Sequence, residues 1–356
     1  MTESADTYYA QGLEAWKRDD WRHAADLAGL AVVVEPSLAA PHYLLGSALL
    51  EEKNFESAQS AFEACLARAP AYPLSHHCRL NLALTRARAA LQRGIKPLLA
   101  RSTEHPQPLV SCIICSITPS KFAKISARLK RLFAALPHEI IGVHDARSLS
   151  EGYNRGARAS RGEVLLFCHD DIDLPAPDFA PRLLTHLQAC DLVGVVGNTR
   201  LTDAKWVYAD WSHMHGQIGM TGGAPDEVVV TAFQLQGAAT PNAQVLDGVL
   251  MAAHRALWER QPFDESTFDG WHLYDFDFSL RAHRAGAAVR IAHDLLTIHA
   301  SQGDFGAEWQ RYCRRFIAKH GEAPASMQNT KRPELCTVTV HSIEEWMLFT
   351  QFLTQI

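Results

Sequence analysis

Residues 152–173 read GYNRGARASRGEVLLFCHDDID, a glycine-punctuated segment followed by an apolar run and a group of carboxylates. Residues 163–168, which are apolar after Glu163, predict a buried strand, because short uninterrupted apolar runs fill the interior of a sheet. Asp170, Asp171 and Asp173 follow this strand directly. Several carboxylates at one strand end repel one another unless a cation neutralises them. The run therefore predicts a strand that ends in a divalent-cation site.

Strand-like and helix-like segments alternate on both sides of this run. The strands are predicted at 109–117, 139–145, 163–168 and 192–197, and the helices at 120–135, 150–159 and 179–189. Such an order predicts a Rossmann-like α/β domain with a mainly parallel sheet and helices on both faces. Ligands of these sheets bind at the carboxyl ends of the strands, where Asp145 and the aspartate group both fall.

The first hundred residues contain a repeat of 34 residues. The pairs separated by this period are Gly12 and Gly46, Ala24 and Ala58, and Pro36 and Pro70. Thirty-four residues is the period of the tetratricopeptide repeat, a helix–turn–helix unit. The elements Leu45-Gly46 and Ala58-x-x-x-Phe62 resemble that family. We therefore expect an all-α tetratricopeptide-repeat domain, which either recruits a protein partner or only supports the second domain or a homodimer.

The expected boundaries follow the changes in pattern. The repeat domain covers 1–93, a linker 94–108, the α/β domain 109–325 and a C-terminal extension 326–356. A net charge of −5 in 356 residues disfavours a nucleic-acid partner, because nucleic-acid-binding proteins usually have an excess of basic residues. No apolar run reaches the roughly 20 residues of a membrane span. The eight scattered cysteines and the absence of a signal-peptide pattern predict a cytoplasmic protein.

The second domain resembles the family-2 glycosyltransferases of GT-A fold. Members of that family carry, in order, G-x-N-x-G, A-x-G-E, an apolar strand and D-x-D, and residues 152–173 follow this order. Further similar elements are Phe263-Asp264-Glu265, the segment 271–281 against the pattern E-D-x-D-L-x-x-R, and His299-x-Ser301-x-Gly303. The resemblance implies a metal-dependent GT-A enzyme that moves a sugar from a nucleotide-sugar donor, which we expect to be a UDP-sugar. The acceptor would be a hydroxyl of a protein or of a cell-surface glycan, and the transfer would invert the anomeric configuration.

Two positions depart from the pattern of that family. In one alignment His169 stands at the first aspartate of D-x-D, so the pair is either Asp171 with Asp173 or His169 with Asp171. Tyr274 stands in place of the glutamate of the E-D element. These departures leave open a non-catalytic tetratricopeptide adaptor with a degenerate transferase domain. A nucleotidyltransferase is disfavoured, because residues 117–121 lack the glycines of its phosphate loop.

The resemblance and the chemistry of the side chains together predict the ligand sites. The predicted metal ligands are Asp171, Asp173 and His299, holding Mn²⁺ or Mg²⁺, and a histidine ligand favours Mn²⁺. The predicted donor-binding residues are Asp145, Asn154, Asp170 and Asp247. Asn154 has an alternative role in closing a tight turn between Gly152 and Gly156. Trp271 and His272 are predicted to bind the acceptor, and the alternative for Trp271 is a place in the core.

Asp275 is the predicted catalytic base, because an acceptor hydroxyl must lose a proton as it attacks the anomeric carbon. Asp277 is two residues further along the same predicted helix. Residues two apart on a helix point about 200° apart, so the two carboxylates cannot serve one site equally. We expect the other aspartate to cap the helix or to pair with Arg281.

Overall fold

The computed structural model describes residues 3–68, 71, 73–101, 107–201, 204, 211–301, 305–321 and 335–356. Pro70 of the repeat, residues 102–106 of the linker, Gly303 of the histidine motif and residues 326–334 of the extension lie outside the described residues. Within the described ranges, no helix combines the length and the apolar character needed to cross a membrane. The chain divides into two compact units, one of Met1–Pro97 with Glu334–Ile356, and one of Leu98–Pro333.

The first unit is built from helices. Its amino-terminal helices are α1 (Ala5–Trp16), α2 (Trp21–Val34), α3 (Ala39–Glu51), α4 (Phe55–Leu66) and α5 (Leu74–Gln92). A strand, Thr337–Val340, and a helix, Ile343–Leu353, complete it from the other end of the chain. Arg88 on α5 makes a 2.9 Å ion pair with Glu345 of that last helix. The C-terminal segment thus belongs to the helical unit instead of extending the α/β domain.

The helices recur with the predicted period. The first residues of α1 and α3 are 34 positions apart, and so are those of α2 and α4. A Cβ added to Gly46 would lie 2.8 Å from the Phe62 ring, so glycine allows α3 to approach α4 closely. Ala24 and Ala58 are completely buried. The all-α region is confirmed, and its membership of the tetratricopeptide family stays a prediction.

The second unit contains two sheets. The strands of the first are β1 (Val110–Cys115), β2 (His138–Val143), β3 (Val164–Cys168), β5 (Leu192–Gly194), β9 (Ala239–Pro241), β11 (Leu250–His254) and β12 (Val289–Ala292), in the order β2-β1-β3-β11-β5-β12-β9. Parallel pairs join β1 to β2 and β3, and β5 to β12. Because β11 and β9 run antiparallel to their neighbours, the sheet is mixed.

The second sheet combines four strands of two or three residues with two longer ones in this unit. They are β4 (Ile172–Asp173), β6 (Val196–Asn198), β7 (Met214–Thr221), β8 (Val228–Ala232), β10 (Val245–Leu246) and β13 (Ile298–His299). The order is β10-β6-β7-β13-β4, and β8 also pairs with β7. The helices of the unit are α6 (Pro119–Leu132), α7 (Leu149–Ala159), α8 (Phe179–Leu187), α9 (Arg255–Arg260), α10 (Tyr274–Arg284) and α11 (Ala307–His320).

The predicted alternation of strand and helix is confirmed except at 192–197. This segment was expected to form one strand, but it divides at Val195 into β5 of the first sheet and β6 of the second. A Cβ on Gly197 would collide with the Val245 carbonyl oxygen. The glycine therefore allows β10 to lie close against β6, and the chain changes sheet within three residues.

The glycines at the start of the 152–173 run have a packing role. A Cβ on Gly152 would collide with Cys115 Sγ, and one on Gly156 with Ile113 Cγ2. Residues four apart share one face of a helix, so both glycines let α7 lie directly on β1. Because residues 149–159 form one continuous helix, the tight turn considered for Asn154 is wrong.

Two strand pairings bring distant segments to the carboxyl end of β3. His299 of β13 lies opposite Ile172 of β4, and the Ala300 N–H donates to the Asp171 carbonyl at 3.0 Å. On the other side, the His169 N–H donates to the Val249 carbonyl at 3.2 Å, where β11 begins its pairing with β3. The residues after β3 therefore meet segments that lie about eighty and 130 positions further along the chain.

Candidate active site

Three potential metal ligands meet at the end of β3. The ligand atoms of His169, Asp171 and His299 all lie within 4.8 Å of one another. Nε2 of His299 is 3.3 Å from Asp171 Oδ1 and 3.4 Å from His169 Nδ1. Adjacent ligands of a small divalent ion, with bonds of about 2.1 Å, stand about 3 Å apart. The spacing of these three groups therefore fits one such ion.

The directions of the pKa shifts of Asp171 and His169 also suit metal binding. The hydrogen bond from His299 holds the pKa of the Asp171 carboxyl well below its usual range, although burial opposes the shift. Burial, together with the charge of His299, lowers the pKa of His169. A carboxylate and a neutral imidazole are the forms in which these side chains bind metals.

The two other aspartates after β3 have different partners. Both carboxylate oxygens of Asp173 accept hydrogen bonds from the Arg128 guanidinium, at 2.7 and 3.0 Å. Asp170 accepts from Ser116 Oγ at 2.6 Å, and its Oδ1 lies 3.8 Å from Lys121 Nζ. The structure thus groups Asp171 with two histidines, and Asp173 lies outside that group with its charge already compensated. The role of Asp173 as a metal ligand stays a prediction.

A cavity of about 180 Å³ adjoins the cluster. It brings together several of the predicted residues, and its wall includes His169, His299, Asp247, Trp271, His272 and Asp275. Phe305 and Trp309, which the sequence analysis did not single out, also line it. The Trp271 and Phe305 side chains are 45% and 43% exposed, so they offer aromatic faces to a ligand.

Asp275 lies in the first turn of α10, where its Oδ2 accepts a 2.6 Å hydrogen bond from the Gly248 N–H. Burial, followed by the negative charge of Asp247, raises the pKa of Asp275 to about 7. A carboxyl group that titrates near neutral pH is suited to accept a proton at that pH. Asp247 itself accepts from the Val249 N–H at 2.9 Å, which fixes its carboxylate in the same turn.

Asp145 and Asn154, both predicted to bind the donor, have contrasting environments. Asp145 follows β2, its side chain is 84% exposed, and it makes a 2.6 Å ion pair with Arg155. Asn154 is buried. Its amide nitrogen donates to the Phe263 carbonyl and to Glu265, both at 2.8 Å.

The carbonyl oxygen of the Asn154 side chain is equally occupied. It accepts from Trp258 Nε1 at 2.8 Å and from the Phe263 N–H at 3.1 Å. An asparagine amide has two donor hydrogens and two acceptor lone pairs, so these four bonds use its whole capacity. The structure therefore gives Asn154 the role of joining α7 to residues 263–265, and leaves no free group to contact a donor.

The two departures from the family pattern contact each other. The Tyr274 hydroxyl lies 3.0 Å from His169 Nε2 and donates to the Gly248 carbonyl at 3.2 Å. Tyr274 was not among the predicted site residues, and His169 was considered only as the alternative partner of Asp171. The signal that could have identified them was that both positions, where acids are expected, carry other polar groups.

Comparison with known proteins assigns the class of the chain. The sequence model of the glycosyltransferase-like family matches residues 111–320, which is more than half of the sequence. The chain therefore belongs to the glycosyltransferase-like family, a family of enzymes, and the predicted α/β GT-A fold is confirmed. No curated protein sequence matches it.

Several solved transferase structures are similar to the chain at low identity. A mannosyltransferase from Pyrobaculum calidifontis, in complex with GDP-Man and Mn²⁺, is 13% identical with a TM-score of 0.40, over 85% of this chain and 82% of that one. GalNAc-T7 with UDP, GalNAc and Mn²⁺ is 12% identical with a TM-score of 0.36, over 59% and 48%. An O-GlcNAc transferase from Thermobaculum terrenum is 19% identical with a TM-score of 0.22, over 39% and 30%.

Proposed function

We propose that this chain is a metal-dependent glycosyltransferase that moves a sugar from a nucleotide-sugar donor to an acceptor hydroxyl. The observation that carries the proposal is one cavity lined by His299 of the metal-ligand cluster and by the Asp275 carboxyl. The transfer needs a group that holds the diphosphate and a group that accepts a proton, and these residues supply one of each.

Asp171 and His299 would hold the divalent ion, Mn²⁺ or Mg²⁺, at the end of β3. When bound, such an ion neutralises the diphosphate leaving group. Lys121, whose Nζ lies 3.9 Å from Asp171 Oδ2, adds a positive charge beside the same phosphates. Asp145, which is largely exposed at the end of β2, is available to accept from the base or ribose of the donor. A UDP-sugar is the donor favoured by the resemblance of residues 152–173.

Asp275 acts as the general base in this proposal. Its carboxylate takes the proton of the acceptor hydroxyl as the oxygen attacks the anomeric carbon. Attack from the face opposite the departing diphosphate gives inversion. Asp247 lines the same cavity and is fixed by the Val249 N–H, so it can accept hydrogen bonds from hydroxyls of the donor sugar.

The acceptor meets the aromatic part of the cavity wall. Trp271 offers an exposed face on which a sugar ring can pack, and His272 lies beside it. The helical unit recruits a protein acceptor if its repeats bind peptide, or it forms a homodimer. All eight cysteines are free thiols, which supports a cytoplasmic location as part of this proposal.

Release of nucleoside diphosphate from a panel of UDP-, GDP- and dTDP-sugars, with Mn²⁺ present, tests the proposal. We expect turnover with at least one donor, and a loss of about 100-fold or more in Asp171→Asn and in Asp275→Asn. Asp226→Asn is the matched control, because Asp226 is exposed and its φ of 66° suits asparagine. No release from any donor by the folded wild-type protein would contradict the proposal and favour the adaptor.

A further inference from the structure

We propose that His169 is a third ligand of the ion and that Tyr274 is the positioning residue that presents Nδ1 of His169 to it. The inference rests on the proposed function in one respect, because it takes Asp171 and His299 as the other two ligands. It adds His169 as a ligand at a position where an aspartate is expected. It also adds Tyr274 as a residue that acts through this histidine.

The two partners of the Tyr274 hydroxyl carry the inference. The hydroxyl oxygen is 3.2 Å from the Gly248 carbonyl oxygen, which can only accept, and 3.0 Å from Nε2 of His169. A tyrosine hydroxyl has one hydrogen and can also accept. It can therefore donate to the Gly248 carbonyl and accept a hydrogen from Nε2 of His169. In that arrangement the neutral ring carries its hydrogen on Nε2, and the lone pair of Nδ1 is available to an ion.

That lone pair lies on the side of the ring that faces the metal-ligand cluster. Nδ1 of His169 is 3.4 Å from His299 Nε2, whereas Nε2 of His169 is occupied by the tyrosine. His299 Nε2 in turn is 3.3 Å from Asp171 Oδ1. The three ligand atoms are thus adjacent, and the nitrogen that the tyrosine does not contact is the one that lies against the cluster.

Tyr274 is itself held in place, so it can orient the histidine ring. Its side chain is 3% exposed and packs against Tyr153 and Phe263, with ring centroids 5.7 and 6.0 Å away. A histidine ligand commonly donates its second N–H to a fixed acceptor, and loss of that acceptor weakens metal binding by about 10- to 100-fold. The backbone of Gly248 and the hydroxyl of Tyr274 form such an acceptor chain here.

The ligand set predicts which ions the site prefers. Two imidazole nitrogens and one carboxylate favour Mn²⁺, Fe²⁺, Co²⁺ or Zn²⁺ over Mg²⁺, which prefers oxygen ligands. A site with carboxylates alone would not make this distinction as strongly. The contribution of the proposed third ligand can therefore be measured from the affinity for metal ions alone, without any sugar transfer.

Binding of Mn²⁺ to the full chain in the absence of donor, measured by EPR titration, tests the inference. We expect Tyr274→Phe to raise the Kd for Mn²⁺ about tenfold, and His169→Ala to raise it at least as much. In the His169→Ala background, Tyr274→Phe should change the Kd less than twofold, because the tyrosine then has no ligand to position. An unchanged Kd in His169→Ala, or an equal effect of Tyr274→Phe in both backgrounds, would overturn the proposal.

A second measurement counts the ligands directly. Pulsed EPR of bound Mn²⁺ should detect ¹⁴N couplings from two imidazoles in the wild type and from one in His169→Ala. Tyr43→Phe is the matched control, because it removes the hydroxyl of a tyrosine in the helical unit, where that hydroxyl accepts from Asn81 at 3.0 Å. One imidazole in the wild type, or no Mn²⁺ binding at millimolar Mn²⁺, would contradict the assignment.

These readouts separate the inference from the proposed function. Mn²⁺ held by two imidazoles in a protein that turns over no donor would contradict the proposed function and support the inference. Sugar transfer by a protein whose Mn²⁺ has a single imidazole would contradict the inference and support the function.

Discussion

Asp275 and Asp277 lie two residues apart on α10, and their carboxylates face opposite environments. Asp275 lines the cavity beside the metal-ligand cluster. Asp277 is completely buried and contacts Arg281 at 2.8 Å, Lys319 at 2.6 Å and His320 at 2.8 Å. The expectation that one aspartate faces the site and that the other pairs with Arg281 is confirmed. The helix thus separates a carboxyl that lines the cavity from one that is buried among cationic side chains.

The raised pKa of Asp275 predicts a pH-dependent rate. A general base must be deprotonated, and burial beside Asp247 raises the pKa of Asp275 to about 7. We expect kcat/KM to rise about tenfold per pH unit up to about pH 7 and then to level off. Initial rates from pH 5 to 9 at saturating Mn²⁺ measure this. A rate that is flat from pH 5 to 7 would contradict the role of Asp275.

The same shift predicts a change in stability. In the unfolded chain an aspartate titrates near pH 4, so between about pH 4 and 7 the folded state holds a proton that the unfolded state has lost. Stability contributed by the protonated form is therefore lost as pH rises through 7. Asp275→Asn removes the cost of keeping a buried carboxylate charged at high pH. We therefore expect it to raise the free energy of unfolding at pH 8 by about 1 kcal/mol, after allowance for partial exposure.

Urea unfolding at pH 8 and at pH 5 measures this effect. The gain of Asp275→Asn over the wild type should be smaller at pH 5, where the wild-type carboxyl is protonated in the folded state. An equal gain at both pH values would show that the substitution acts through packing instead of charge.

Asp277→Asn is expected to change stability in the opposite direction. Burial alone would raise the pKa of Asp277, but the hydrogen bond from His320 and the charges of Arg281 and Lys319 outweigh it and lower the pKa. Removal of the charge leaves these cations without their buried partner, which costs about 3 kcal/mol. Urea unfolding at pH 7 measures the loss. A variant as stable as the wild type would contradict the structural role.

Asn154→Ala separates a structural role from donor binding. The substitution leaves Trp258 Nε1 and the Phe263 N–H without their acceptor, so we expect a loss of about 2 kcal/mol in the free energy of unfolding. The KM for the donor should stay within about twofold of the wild-type value below the unfolding temperature. A large rise in KM without a loss of stability would restore Asn154 to the donor site.

The alternation of strands and helices in the second unit could be predicted from the sequence because it depends on local periodicity. Neighbouring residues determine the secondary structure of the strand at 163–168 and of the amphipathic helix at 120–135. The break at Val195 could not be predicted, because the two halves of 192–197 are equally apolar and pair with strands far away along the chain. The mixed character of the first sheet depends on β11 in the same way.

The residues of the candidate site were predictable where they adjoin in sequence and less so where they meet in space. The Asp171 region and Asp275 follow from motifs. The contact between His169 and Tyr274 depends on how α10 meets the turn before β11, and no local pattern encodes it. Likewise Arg128 reaches Asp173 from another helix, so the sequence alone could not separate Asp173 from Asp171.

The turnover of donor is expected to depend on a divalent metal ion. Removal of divalent ions with EDTA should abolish donor turnover, and Mn²⁺ should restore it at lower concentration than Mg²⁺, because imidazole nitrogen is a better ligand for Mn²⁺. Donor turnover titrated separately with each ion measures this. Full activity in EDTA would contradict a metal-dependent reaction.

The proposed metal site is tested most directly by a crystal structure with UDP and Mn²⁺, with anomalous diffraction recorded at the manganese edge. We expect one anomalous peak within bonding distance, about 2.2 Å, of Asp171 and His299, and in contact with the diphosphate. A peak at Asp173 or elsewhere, or UDP bound away from the end of β3, would contradict it.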